Sequence, residues 1–69
     1  MSDHVYRVTE VVGSSPESVQ QAIRNGVARV SRTVRNVEWF EVTESRGAVA
    51  PDGTITFQAS LKVGFRLEG

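Results

Sequence analysis

The sequence contains no cysteine. Disulfides, zinc–thiolate centres and thiol nucleophiles are therefore excluded. It has a single histidine, His4, which cannot build a metal site alone. No apolar run exceeds three residues, so no segment reads as a membrane-spanning helix. Neither sign of charge is in excess: 8 Lys+Arg balance 8 Asp+Glu. A module that binds nucleic acid by neutralising phosphates is usually clearly basic, so that class is disfavoured. Aromatic residues make up only 7%, with one Trp and one Tyr. The opening Met-Ser-Asp-His lacks the basic and apolar regions of a secretory signal, and a cytoplasmic location is the expectation.

What is present fits one small globular domain over residues 1–69, with 39% hydrophobic and 23% charged residues. A chain of this size buries only roughly 60% of its unfolded surface and is marginal as a monomer. Small domains compensate with disulfides, metals or self-association. The first is excluded and the second has too few ligands, so an oligomer is expected.

Gly, Pro and Ser punctuate the chain at Gly13–Pro16, weakly near Arg35–Asn36, and at Ala50–Gly53. The segment His4 to Val12 is rich in β-branched and aromatic residues and reads as a strand. Tyr6, Val8 and Val12 share one of its faces, interrupted by Glu10. A helix follows. Ser14 or Ser15 suits its N-cap, Pro16 its first turn, and Ser14 with Glu17 has capping-box spacing. Val19, Ala22, Ile23, Val27, Val30 and Val34 recur at intervals of three and four and draw one apolar stripe. Gly26 lies near this stripe, where it costs about 1 kcal/mol of helix propensity but permits a strand to come close.

The rest reads as a hairpin of Val37–Ala48 and Thr54–Leu67. In the second strand the odd positions from Ile55 to Leu67 are all apolar, and the even ones are polar or glycine, a strict period of two. With Ala50–Gly53 as the loop, Val49 faces Thr54, Ser45 faces Gln58, Val42 faces Leu61, Glu41 faces Lys62 and Phe40 faces Val63. Phe40 and Val42 then join the odd face, which takes the helix, and Glu41 pairs with Lys62 across the strands. A bulge near Arg46-Gly47 would break this arithmetic.

On this register Trp39 lies on the polar face opposite Gly64. An outward indole leaves apolar area in water unless something covers it. Two occupants are open: a neighbouring subunit, or a flat ligand stacked on the ring with Gly64 leaving space beside it. No catalytic constellation accompanies it. The serines and threonines lack a nucleophile elbow, and the glycines match no phosphate-binding loop. Glu10, Glu38, Glu41 and Glu44 read as ion-pair partners, and the arginines at 24, 29, 32 and 35 as a solvated face or a subunit contact.

Strand–helix–hairpin order is combined here with Glu10-x-Val12-Gly13-x-Ser15-Pro16, Trp39-Phe40-Glu41-Val42, Arg46-Gly47, a lone Gln58 and Lys62-Val63-Gly64-Phe65-Arg66-Leu67. Together these resemble the dodecins, small flavin-binding proteins, over nearly the whole chain from Tyr6 to Leu67. The resemblance implies an α+β fold: a β-α-β-β subunit whose three-stranded antiparallel sheet wraps partly around one helix, assembled into a hollow homododecamer. It implies paired flavins, FMN or riboflavin, sandwiched between tryptophans matching Trp39, which quench the excited ring by electron transfer. Gln58 matches the residue that bonds the polar edge of the flavin, and Arg46 and Arg66 match arginines near the phosphates. The implied role is flavin storage and photoprotection, not catalysis, with coenzyme A a second ligand in some members. His4, Tyr6 and Lys62 are further candidate ligand or interface contacts. Trp39, Gln58 and Arg66 share a face on the register above. Arg46 falls on the other parity, so a bulge turns it, or it serves a neighbouring subunit, or it stands outside the site. The rival reading is a structural homo-oligomeric module in which another subunit buries Trp39 and no flavin binds.

Overall fold

The computed structural model describes residues 3–68. The elements run β1 (Tyr6–Ser15), α1 (Val19–Thr33), β2 (Val37–Val49) and β3 (Ile55–Arg66). The strands form one antiparallel sheet in the order β1-β3-β2, with α1 on one face. This is the β-α-β-β subunit expected from the sequence. The body is elongated, with extents of 56 × 20 × 14 Å. Among the described residues no helix is long and apolar enough to cross a membrane.

The alternation of β3 builds the core. Ala59, Leu61 and Val63 point toward the helix and are buried against Ala22 and Val30. Val11, Val19, Ile23, Val27, Val34 and Val37 pack around them. Fully burying a side chain such as Leu61 contributes about 1.5–3 kcal/mol. The helical stripe is therefore the one read from the sequence, and so is the face of β3 that receives it.

The helix begins later than expected. Neither Ser14 nor Ser15 caps it, because β1 continues through both, Ser14 opposite Gln58 and Ser15 opposite Phe57. Pairing satisfies that backbone, and the Ser15 hydroxyl accepts from Glu17 N at 3.0 Å to turn the chain. Pro16 thus lies in the turn rather than the first helical turn. Ser18 is the N-cap, extended at φ −168° and ψ 163°, with its hydroxyl accepting from Gln21 N at 2.9 Å. At the other end Asn36 adopts φ 66°, a left-handed conformation that asparagine tolerates. Its carbonyl accepts from Arg66 N at 3.0 Å, which hands the chain from helix to β2.

Two glycines set the distance between helix and sheet. A Cβ on Gly13 would drive into the Ala22 carbonyl oxygen. One on Gly26 would stand 2.7 Å from Leu61 Cδ1 and 3.4 Å from Gly13 Cα. The two backbones therefore touch where β1 crosses α1.

The hairpin register holds only in part. Phe40 faces Val63, Glu41 faces Lys62 and Val42 faces Leu61, as expected. Beyond them a bulge between Val42 and Glu44 inserts Thr43, and the pairing steps by one: Arg46, not Ser45, faces Gln58, and Val49 faces Ile55 rather than Thr54. The insertion comes three residues before the Arg46-Gly47 position considered from the sequence. The turn closes with Ala50 N donating to Thr54 O at 2.8 Å and with Gly53 at φ 89°. Glu41 and Lys62 stand opposite each other, but their ion pair is not among those formed by the described residues, which are Arg35–Glu68, Arg46–Glu44 and Arg66–Glu38.

The helix covers β1 and β3 far more than β2. Phe40 and Val42 lie on the inner face yet remain 48% and 40% exposed, beside a groove lined by Ile23, Val27 and Ala28. The expectation that α1 covers them is corrected: one 15-residue helix is too narrow for three strands. Tyr6, Val8 and Val12 stand on the opposite face of the sheet, also exposed. Both faces of this small sheet thus carry uncovered apolar side chains.

The contacts of the two glycines separate their substitutions. Gly13→Ala meets backbone and should lower unfolding stability by about 3 kcal/mol, the upper end of overpacking costs. Gly26→Ala meets the movable end of Leu61 and gains about 1 kcal/mol of helix propensity, so its net loss should be the smaller. Urea melts of the two variants would check this, and equal losses would contradict the backbone contact at Gly13.

Candidate functional site

All four residues singled out from the sequence, Trp39, Gln58, Arg46 and Arg66, stand on the outer face of the sheet. That face carries the even positions of β3: Gln58, Ser60, Lys62, Gly64 and Arg66. β2 supplies the other members through its two irregularities. Between Val37 and Trp39 the register shifts by one, leaving Glu38 without a partner on β3. Glu38 and Trp39 both reach the outer face as a result. The second bulge, at Thr43, turns Arg46 onto the face of Gln58. A bulge, one of the alternatives open for Arg46, thus puts it on the outer face.

The indole lies flat on Gly64. A Cβ built there would fall among the Cε2, Cζ2 and Cδ2 atoms of Trp39. The space that Gly64 leaves is therefore filled by the indole itself and is not an empty recess beside it. The ring remains 39% exposed. Tyr6, opposite Arg66 in the register, meets it edge-on, with ring centroids 6.2 Å apart and planes inclined at 61°. The Tyr6 hydroxyl donates to Glu38 Oε1 at 2.8 Å, and Arg66 Nη1 pairs with Glu38 Oε2 at 3.4 Å. The hydrogen bond to Glu38 raises the Tyr6 pKa above the ordinary phenol value, helped by partial burial and by the carboxylate charge, while Arg66 pulls the other way.

A second cluster surrounds Arg46. Its Nη2 donates to Glu44 Oε1 at 2.6 Å and Ser60 Oγ at 2.8 Å, and its Nη1 to Gln58 Oε1 at 3.4 Å. The carboxamide oxygen of Gln58 is thus engaged by the guanidinium, while its amide N–H groups remain available as donors. Glu38 and Glu44 serve as the ion-pair partners expected of them.

The four residues form two pairs, not one group. Trp39 lies at Gly64 beside Arg66, and Arg46 lies at Gln58. Gly64 and Gln58 are six positions apart on β3, roughly 20 Å at about 3.3 Å per residue. A single flat ring cannot touch Trp39 and Gln58 of the same subunit. Sequence reasoning missed this division, and it named Tyr6 and Glu38 without linking them. The link needs the β1–β3 register, for which β1 alone gives no turn to count from. Among the described residues no three histidine or carboxylate groups converge as metal ligands.

The β-α-β-β chain thus presents uncovered apolar side chains on both faces of its sheet and an outward indole beside the Arg66–Glu38 pair. The chain belongs to the dodecin family, whose model matches residues 5–68 and whose members are oligomers of identical subunits that bind small molecules. A dodecin from Thermus thermophilus is 45% identical over 64 residues, 93% of each chain. The solved dodecin from Streptomyces davaonensis matches with a TM-score of 0.91 and 53% identity, over 99% of this chain and 100% of that one. A calcium dodecin from Mycobacterium tuberculosis is 35% identical over 63 residues, 91% of this chain and 89% of its own.

Because Trp39 is the only tryptophan, its emission reports this site alone. Gly64→Ala should lift the indole off the sheet into water and shift its emission to the red. An unchanged spectrum would mean that the ring does not rest on Gly64.

Proposed function

We propose that this protein stores flavin: it sequesters FMN or riboflavin and quenches the photochemistry of the bound ring. The observation that carries the reading is the half-exposed indole, held flat against Gly64 with one face free. A large planar ring stacks on such a face and gains both apolar burial and ring–ring attraction. Other residues of the outer face fit the rest of a flavin. Gln58 presents amide donors suited to the polar edge of the isoalloxazine, and Arg46 and Arg66 supply charge suited to a phosphate. Bound flavin would bring the light-absorbing, electron-accepting ring, and Trp39 is the electron donor placed against it.

The separation of the two pairs gives the site a composite form. Trp39 and Arg66 of one subunit face Gln58 and Arg46 of another, and the flavin lies between subunits. The exposed Val8, Val12, Phe40 and Val42 favour such association, since they gain burial only from neighbours. We assign a closed homododecamer, in which sheet edges are covered and growth stops. Binding without catalysis follows from the same arrangement, because a ring enclosed between subunits has no room for a second substrate.

Titration of FMN with ligand-stripped protein should quench flavin fluorescence to saturation, and riboflavin should do likewise. Trp39→Ala should lose the quenching while light scattering still gives twelve subunits. Tight binding and full quenching in that variant would remove Trp39 from the role. Co-expression of Trp39→Ala subunits with Gln58→Ala subunits should restore a fraction of sites that neither variant has alone. No recovery would contradict the composite site.

A further inference from the structure

We propose that Glu38 sets how far this site distinguishes a phosphate-bearing flavin from one without phosphate, by holding the Arg66 guanidinium in an ion pair that a ligand phosphate must displace. The inference rests on the flavin reading of the same face.

The first bulge of β2 places Glu38 where no regular strand residue would stand. Both of its carboxylate oxygens are used there: Oε1 accepts from the Tyr6 hydroxyl at 2.8 Å and Oε2 pairs with Arg66 Nη1 at 3.4 Å. Tyr6 and Arg66 are register partners on β1 and β3, so one carboxylate from β2 ties all three strands together at the indole. The charges of Glu38 and Arg66 cancel. A phosphate monoester carries about −1.5 to −2 charge at neutral pH. When it approaches Arg66 it meets a carboxylate already on the same guanidinium. Repulsion from Glu38 then offsets most of the attraction by Arg66. The next cation along the outer face is Lys62, whose register neighbours Glu10 and Glu41 are both acidic, so that stretch carries no net positive charge. The side chains of Glu38 and Arg66 are 36% and 38% exposed, so the pair is accessible to an incoming ligand and weak enough to be exchanged.

Glu38→Gln keeps the shape of the side chain and removes its charge. The ratio of FMN affinity to riboflavin affinity, measured by quenching titration, should rise about fivefold, the factor that corresponds to releasing a partly exposed ion pair. Glu38→Gln combined with Arg66→Gln should return the ratio to that of Arg66→Gln alone. A second readout needs no flavin. Tyr6 is the only tyrosine, so the ultraviolet absorbance of the flavin-free protein follows its ionisation without interference. In Glu38→Gln that ionisation should move to lower pH, because the charged acceptor that favours the protonated phenol is gone. A lowered Tyr6 transition with an unchanged affinity ratio would overturn the proposal and leave Glu38 a support for Tyr6. An unchanged Tyr6 transition would overturn it through the contact itself. Flavin binding that persists with no change in ratio removes only the role of Glu38, whereas unaltered protein that binds neither flavin removes the storage reading as well.

Discussion

A β-strand alternates its side chains between two faces, and β2 departs from that alternation twice. Each departure inserts one residue, and each places a charged group that strict alternation would have put elsewhere. At Glu38 the insertion brings a carboxylate to the outer face next to the indole. At Thr43 it reverses the parity of everything toward the turn and moves Arg46 from the helix side to the face of Gln58. Two irregular residues in a 13-residue strand therefore decide the chemistry of the outer face. The inner face is unaffected through Val42, because Phe40 and Val42 keep their places opposite Val63 and Leu61.

Much of this was legible in the sequence, and the limits have physical causes. The fourteen-residue alternation ending at Leu67 identifies β3 and its buried face, since one face of a helix-covered sheet must be apolar. The helical stripe follows for the same reason. The placement of Trp39 opposite Gly64 also follows, because the bulge at Glu38 lies beyond it when the count starts from the turn. The loop was judged one residue too short and the bulge at Thr43 was missed, and the two errors cancel from Trp39 to Val42. A bulge at threonine leaves no mark in the sequence, as a glycine would. The start of α1 was misplaced because Ser14, Ser15 and Ser18 all cap well, and only the pairing of β1 with β3 decides among them. The division of the site into two pairs about six residues apart was already implicit in the numbering of Gly64 and Gln58, but a shared face was read as a shared place.

The fold is economical in what it buries. Its core draws on β3 and one side of α1, and the close contact of Gly13 with Gly26 lets the helix settle deeply on β1. That depth leaves β2 uncovered. Stability and binding are therefore linked at the level of the assembly. Neighbours on the inner face would cover Phe40 and Val42, and neighbours on the outer face would bring a second half-site to Trp39. For a chain this small, mass action on assembly adds to the stability of each subunit, so subunit concentration and ligand act on the same equilibrium.

The seat of the indole on Gly64 has a consequence for the shape of anything gathered there. One side of the ring is sealed by the main chain, so only the other can receive a partner. A stack that begins at Trp39 can therefore grow in one direction only. The other direction is closed by the strand itself, so one subunit alone walls such a stack at one end and leaves the other end open.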